Sequence, residues 1–146
     1  MVGSRKHLKM KEKINIGYKI PNIEKLVDKI SKVIGLIVPV YVMPLKLKRL
    51  DESGYAVFNA GIGTVFINTD ILVKDKITPF VIKLFIHELW HVKQMSEGRL
   101  VFNENQTEAT WEGVKYTNKD TFRPWEIEAR RMESKYYKQV KNHLLS

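Results

Sequence analysis

The chain contains no cysteine, which excludes disulfides and thiolate metal sites together, so any metal must be held by histidine and carboxylate side chains. Long hydrophobic stretches are also missing. The longest apolar run, Val33 to Met43, is about half a membrane span and is interrupted by Pro39. The N-terminal stretch Met1-Val-Gly-Ser-Arg-Lys-His-Leu-Lys9 lacks the apolar core of a signal peptide. Nothing implies a second domain, and 146 residues, 44 % of them hydrophobic, suffice for one core. A soluble, cytoplasmic protein without a membrane partner is expected.

Acidic residues are the minority charge, 16 against 25 lysines and arginines, giving a formal +9. The cations gather at Arg5, Lys6, Lys9, Lys11 and Lys13, at Lys46-Leu-Lys48-Arg49, and from Arg123 to Lys141. A nucleic-acid footprint is one explanation of such clusters. No recognisable nucleic-acid module or aromatic-basic interleaving accompanies them, so solvated lysine-rich faces are the commoner explanation. Nucleic acid stays an open partner but not the favoured one.

What the chain does have is Phe80-Val-Ile-Lys-Leu-Phe-Ile-His87-Glu88-Leu-Trp-His91-Val-Lys-Gln-Met95. At about 100° per residue, His87 and His91 lie about 40° apart on one helix face, with Glu88 about 60° to the side of His91. Val81, Leu84, Phe85, Ile86, Leu89, Trp90 and Val92 make the same helix apolar nearly all round, and such a helix is normally buried. Desolvating an unpaired carboxylate costs several kcal/mol, and a divalent cation removes that difficulty. Zinc accepts neutral imidazole nitrogens, and two histidines one turn apart supply two corners of its tetrahedron. A catalytic site takes three protein ligands and keeps a position for water, with an unligated Glu beside it as general base. Chance occurrence of the pattern is expected in well under about one chain in a hundred of this length.

Around this helix the chain reads as α+β. Residues 1–15 form a basic arm expected to be mobile, and residues 16–146 one domain. Pro21-Asn22 opens a scaffold helix, with Asn22 as N-cap, an apolar stripe from Ile23 to Ile34 and Gly35 as its stop. Leu36 to Val42 reads as a strand at an edge or with a bulge, because of Pro39. Tyr55–Ala60 and Thr64–Asn68 flank Gly61-Ile-Gly63 as a hairpin. If the second of these strands lies at the sheet edge, its free peptide groups can pair with an extended peptide; an ordinary core hairpin is the equal alternative. Thr78 and Pro79 fit the N-cap and first position of the motif helix, and Gly98 its stop. Leu100 to Tyr116 reads as two short strands or an ordered loop. A last helix opens near Pro124, with Trp125, Ala129, Met132, Tyr136 and Val140 as its buried stripe.

Two imidazoles leave a zinc one protein ligand short. Glu126, Glu128, Asp120, His143 and the acids between 97 and 112 are candidates. Glu126 is favoured because it starts a helix and small Ala129 three residues on allows close helix approach; Glu128 lies about 200° round that helix, so both cannot face the metal.

His87-Glu88-Leu-Trp-His91 followed by Glu126-Ile-Glu-Ala129 resembles the gluzincin group of zinc metallopeptidases, whose third ligand is a Glu on a later helix, often in Glu-x-x-Ala-Asp. The small size is similar to the minimal soluble members, the minigluzincins. The resemblance implies a zincin-like fold, a small mostly antiparallel sheet packed on a buried active-site helix between an N-terminal scaffold helix and a C-terminal helix. It implies His87, His91 and Glu126 as zinc ligands, Glu88 as catalytic base, and a polypeptide substrate. Position 130 departs from the pattern, being Arg where the family often has the Asp that orients the first histidine, so another group must orient His87. The expected activity is zinc-dependent hydrolysis of peptide bonds, with Tyr116 or a tyrosine of the final helix as candidate oxyanion donors. The alternatives are a non-catalytic zinc-stabilised binding domain, an enzyme self-inhibited by its basic arm or another segment in the cleft, and a DNA-associated protease.

Overall fold

The structure is a computed structural model and describes residues 20–46 and 53–145. The expected basic arm lies outside the described residues, as do residues 47–49 of the central basic cluster. In order, the elements are α1 (Pro21–Ile34), β1 (Val40–Leu45), β2 (Gly54–Asn59), β3 (Ile62–Asn68), α2 (Thr69–Lys74), α3 (Pro79–Ser96), β4 (Leu100–Phe102), β5 (Glu108–Trp111), β6 (Val114–Thr117) and α4 (Pro124–Leu145). The result is a small α+β fold with two three-stranded sheets.

The core forms where α1, α3 and the first sheet meet. Ile23, Leu26, Val27, Ile30 and Ile34 of α1 are buried at helical spacing, against Val42, Val65 and Ile67 of the sheet and Val81, Phe85, Ile86, Leu89 and Val92 of α3. The start of α1 corrects the sequence reading. Ile20, not Asn22, is the N-cap and offers no side-chain bond. The carboxylate of Asp75, some fifty residues on, accepts instead from the backbone N–H of Asn22 at 3.2 Å and of Ile23 at 2.9 Å. Asp75 is itself the left-handed C-cap of α2, so one residue closes two helix ends.

The expected hairpin is β2–β3, and its turn differs from expectation. Asn59 faces Ile62 across a two-residue turn in which Ala60 (φ 53°) and Gly61 (φ 78°) take positive φ. Gly63 sits inside β3: a Cβ there would come within 2.5 Å of Val92 Cγ1, so the missing side chain lets the sheet rest on α3. The sheet order is β1-β3-β2, with β1 parallel and β2 antiparallel to β3. The first sheet is therefore mixed, not mostly antiparallel. Its first strand starts at Val40, after Pro39 rather than across it, and lies at an edge. The second strand of the hairpin, expected as a possible edge, is central, because β1 returns beside it; β2 holds the other edge.

α3 starts as expected, with Thr78 Oγ accepting from the Val81 N–H at 3.2 Å and Pro79 in the first turn. After Gly98 (φ 76°) the chain makes three short antiparallel strands, one more than expected, in the order β4-β5-β6. Leu100, Ala109 and Trp111 of this second sheet bury themselves with Trp125 at the start of α4. No helix of the described residues is long and apolar enough to cross a membrane.

Candidate metal centre

His87 and His91 project from adjacent turns of α3, and their Nε2 atoms are 3.1 Å apart. Glu126, in the first turn of α4, places Oε1 2.9 Å from His87 Nε2 and 3.1 Å from His91 Nε2. Fully buried Ala129, one turn beyond, leaves room for α4 against α3. These three are the only group of three or more metal-ligating side chains within mutual reach among the described residues.

The outer nitrogen of each ring fixes what the inner one can do. His87 Nδ1 lies 2.6 Å from Glu133 Oε2, and His91 Nδ1 lies 2.8 Å from Gln94 Oε1. Both contacts need the hydrogen on Nδ1, which leaves a lone pair on Nε2 of each neutral ring. Two nitrogen lone pairs and a carboxylate oxygen then converge, an arrangement that only a proton or a cation can reconcile. Without a cation a proton serves. Burial alone would lower the pKa of His87, but Glu126, Glu88 and Glu133 outweigh it and push the ring up to about 9. Burial also opposes ionisation of Glu126, yet the two imidazoles hold its carboxyl well below the usual carboxylate range. Tetrahedral ligands at about 2.0–2.1 Å from a common ion stand about 3.3 Å apart, so the three atoms need separate only slightly to share one. The group can hold a metal ion.

Glu88 is 6 % exposed and is pushed up to about 7, chiefly by burial, with His91 and His87 pulling the other way. It lines a cavity of about 1080 Å³ together with His87, His91 and Glu126. β2, Met95, β4 and Trp125 also line it. Both strands are sheet edges, and their ladders show which peptide groups are free. The Asn68 N–H donates to Ser53 O at 2.8 Å, so by alternation Tyr55, Val57 and Asn59 also bond to β3, and Gly54, Ala56 and Phe58 turn their N–H and C=O groups outward. In the same way the bonds from Glu112 N to Arg99 O and from Asn103 N to Glu108 O leave Leu100 and Phe102 facing away from β5.

Of the other sequence candidates, Glu104 lines the same cavity without joining the ligand group, and the rest are held elsewhere. Glu128 points away from the imidazoles and accepts from Arg99, Trp90 and Gln94. Asp120 accepts from the Thr117 N–H in the turn before α4, and His143 is in the last turn of α4, roughly 25 Å along the axis from Glu126. Glu97 pairs with Lys93, Glu108 with Lys115 and Glu112 with Arg99. Tyr116 packs its ring on Trp125 and Phe122, and Tyr136 packs on Trp90. Neither lines the cavity, whereas Tyr55 of β2 does.

Two partners of the site were missed in the sequence. Glu133 supplies the orientation of His87 that Arg130 cannot, and Gln94 does the same for His91. Each carried a weak signal: Glu133 follows Glu126 by seven residues, hence on one helix face, and Gln94 follows His87 by seven and His91 by three, hence on the face that carries the imidazoles. No family model, curated protein or solved structure matches the chain.

Proposed function

We propose that the chain is a zinc-dependent metallopeptidase in which His87, His91 and Glu126 hold the ion and Glu88 is the general base. The observation that carries this reading is the convergence of three lone-pair donors, with no hydrogen to share among them in their neutral and ionised forms, beside a buried carboxylate in an open cleft. A nitrogen, nitrogen, oxygen set suits zinc. When bound, such an ion polarises a carbonyl and makes water acidic enough to attack it near neutral pH.

The chain's own residues account for the rest. Glu88, raised to about 7 by burial, can take a proton from the attacking water and return it to the leaving nitrogen at ordinary pH. The free peptide groups of β2 offer main-chain hydrogen bonds to an extended polypeptide, holding a scissile bond over the ligands without demanding one side-chain sequence. Exposed apolar Val101 and Phe102 on β4, which also line the cavity, suit apolar substrate side chains. The resemblance of His87-Glu88-x-x-His91 and Glu126-x-x-Ala129 to the gluzincins, and with it a zincin-like fold, supports the same assignment.

Hydrolysis of a casein-type substrate, with and without chelator, tests the reading. Glu88→Gln should retain zinc and lose about 10²- to 10⁴-fold in rate. Undiminished cleavage by that variant overturns the mechanism. Zinc binding without chelator-sensitive cleavage by the unaltered protein leaves a zinc-stabilised binding domain instead.

A further inference from the structure

We propose that Gln94 is a positioning residue that fixes the tautomer of His91, and that Arg99, acting through Glu128, holds Gln94 the right way round. The inference rests on the metal-ligand reading of His91 but concerns residues outside the ligand set.

An amide side chain can present either end to a neighbour, and the surroundings of Gln94 allow only one choice. Its Nε2 lies 3.1 Å from the Trp125 carbonyl and 3.1 Å from Glu128 Oε1. Both are acceptors, so that atom must be the NH₂ group. The other end is then the oxygen, 2.8 Å from His91 Nδ1, and an oxygen there requires the ring hydrogen on Nδ1. Gln94 is fully buried and His91 nearly so, so a reversed amide would set its oxygen against the Trp125 carbonyl and the Glu128 carboxylate away from bulk solvent.

Glu128 shares with the Trp125 carbonyl the task of making the orientation one-sided, and it is secured from outside the site. Arg99 grips both its oxygens, Nη1 to Oε1 at 2.9 Å and Nη2 to Oε2 at 2.7 Å, while the Trp90 indole donates to Oε1 at 2.7 Å. Arg99 is in turn held by Glu112 at 3.0 Å and lies over the Trp111 ring, 4.6 Å from its centroid. A chain of directed hydrogen bonds therefore runs from the second sheet through α4 to the second imidazole of α3. Each link has one allowed direction, and the last leaves the lone pair of His91 Nε2 aimed at Glu126 and His87.

The test reads the ring before it reads any metal. Protein labelled with ¹⁵N in histidine and freed of metal is examined by NMR at about pH 8, above the ordinary imidazole value of about 6.5. His91 should be the Nδ1–H form. In Gln94→Leu it should become a mixture of tautomers, and competition with a zinc-chelating dye should show Zn²⁺ affinity falling about 10- to 100-fold. Arg99→Met, a change at a partly exposed position that spares the core, should move both readouts in the same direction by less, and Arg99→Lys should recover part of the loss. An Nε2–H ring in the unaltered protein overturns the proposal, as does a Gln94→Leu or Arg99→Met variant that folds with tautomer and affinity unchanged. Failure of the unaltered protein to bind Zn²⁺ would instead strike the metal-ligand reading and leave the tautomer result standing on its own.

Discussion

The imidazole of His87 has carboxylates at both of its nitrogens, Glu126 at 2.9 Å and Glu133 at 2.6 Å, and this decides how the site behaves with pH. Its folded value of about 9 lies above the ordinary 6.5. The stabilisation that the charged ring gives the metal-free protein is therefore complete below about pH 6.5 and is lost as pH rises through about 9. An incoming cation must expel this proton. Calorimetric titration with Zn²⁺ in buffers of differing ionisation enthalpy should register close to one proton released per ion between these two pH values, fading above the upper one. A release near zero between these two values, or one that stays undiminished well above about pH 9, would contradict the protonation of His87. Glu88 differs because its burial dominates: His91 and His87 lower it, Glu126 and Glu133 add to the rise, and it ends at about 7, a value that suits the proposed general base.

At the level of elements, α3 can serve as a rigid platform because its start is capped locally and its underside lies close against the first sheet. Thr78 caps it, and Gly63 lets β3 press against Val92. Gly63→Ala should cost about 1–3 kcal/mol in a denaturant melt, the usual cost of overpacking, and most of that cost should vanish in combination with Val92→Ala. A long-range device fixes α1: Asp75→Ala should cost about 0.5–2 kcal/mol through loss of the cap, measured in the same way. The contrast explains what could be read from the chain. The motif helix, its cap and the Glu126 face follow from 3.6-residue periodicity and local capping, which act within a few positions. The cap of α1 by Asp75, the parallel return of β1 that makes β3 central, and the choice of β2 as the edge depend on residues far apart in sequence, and no local pattern encodes them. Glu133 and Gln94 fall between. Their spacing places them on the right faces, but an acid on a charged helix and an amide on an apolar one acquire a role only when a second helix arrives.

Across the whole molecule, Arg99 and Glu128 tie the approach to the second sheet to α3 and α4. Burial would raise the Glu128 carboxyl, but bonds from Arg99, Trp90 and Gln94 hold it down at about 2, below the ordinary 4.5. A depressed carboxyl contributes stability that is present above about pH 4.5 and lost as pH falls through about 2. The difference in thermal midpoint between the metal-free protein and its Arg99→Met variant should accordingly shrink as pH falls through that range, and a constant difference would show that the pair adds nothing that titrates.

The proposed metal centre requires that two imidazoles and one carboxylate share a common ion. Calorimetric titration of the metal-free protein with Zn²⁺, set beside His91→Ala and Glu126→Ala, addresses that most directly. One ion per chain should bind to the unaltered protein, and each substitution should abolish or gravely weaken the binding while leaving a folded chain. Equal binding by all three proteins, or none by the first, would contradict it.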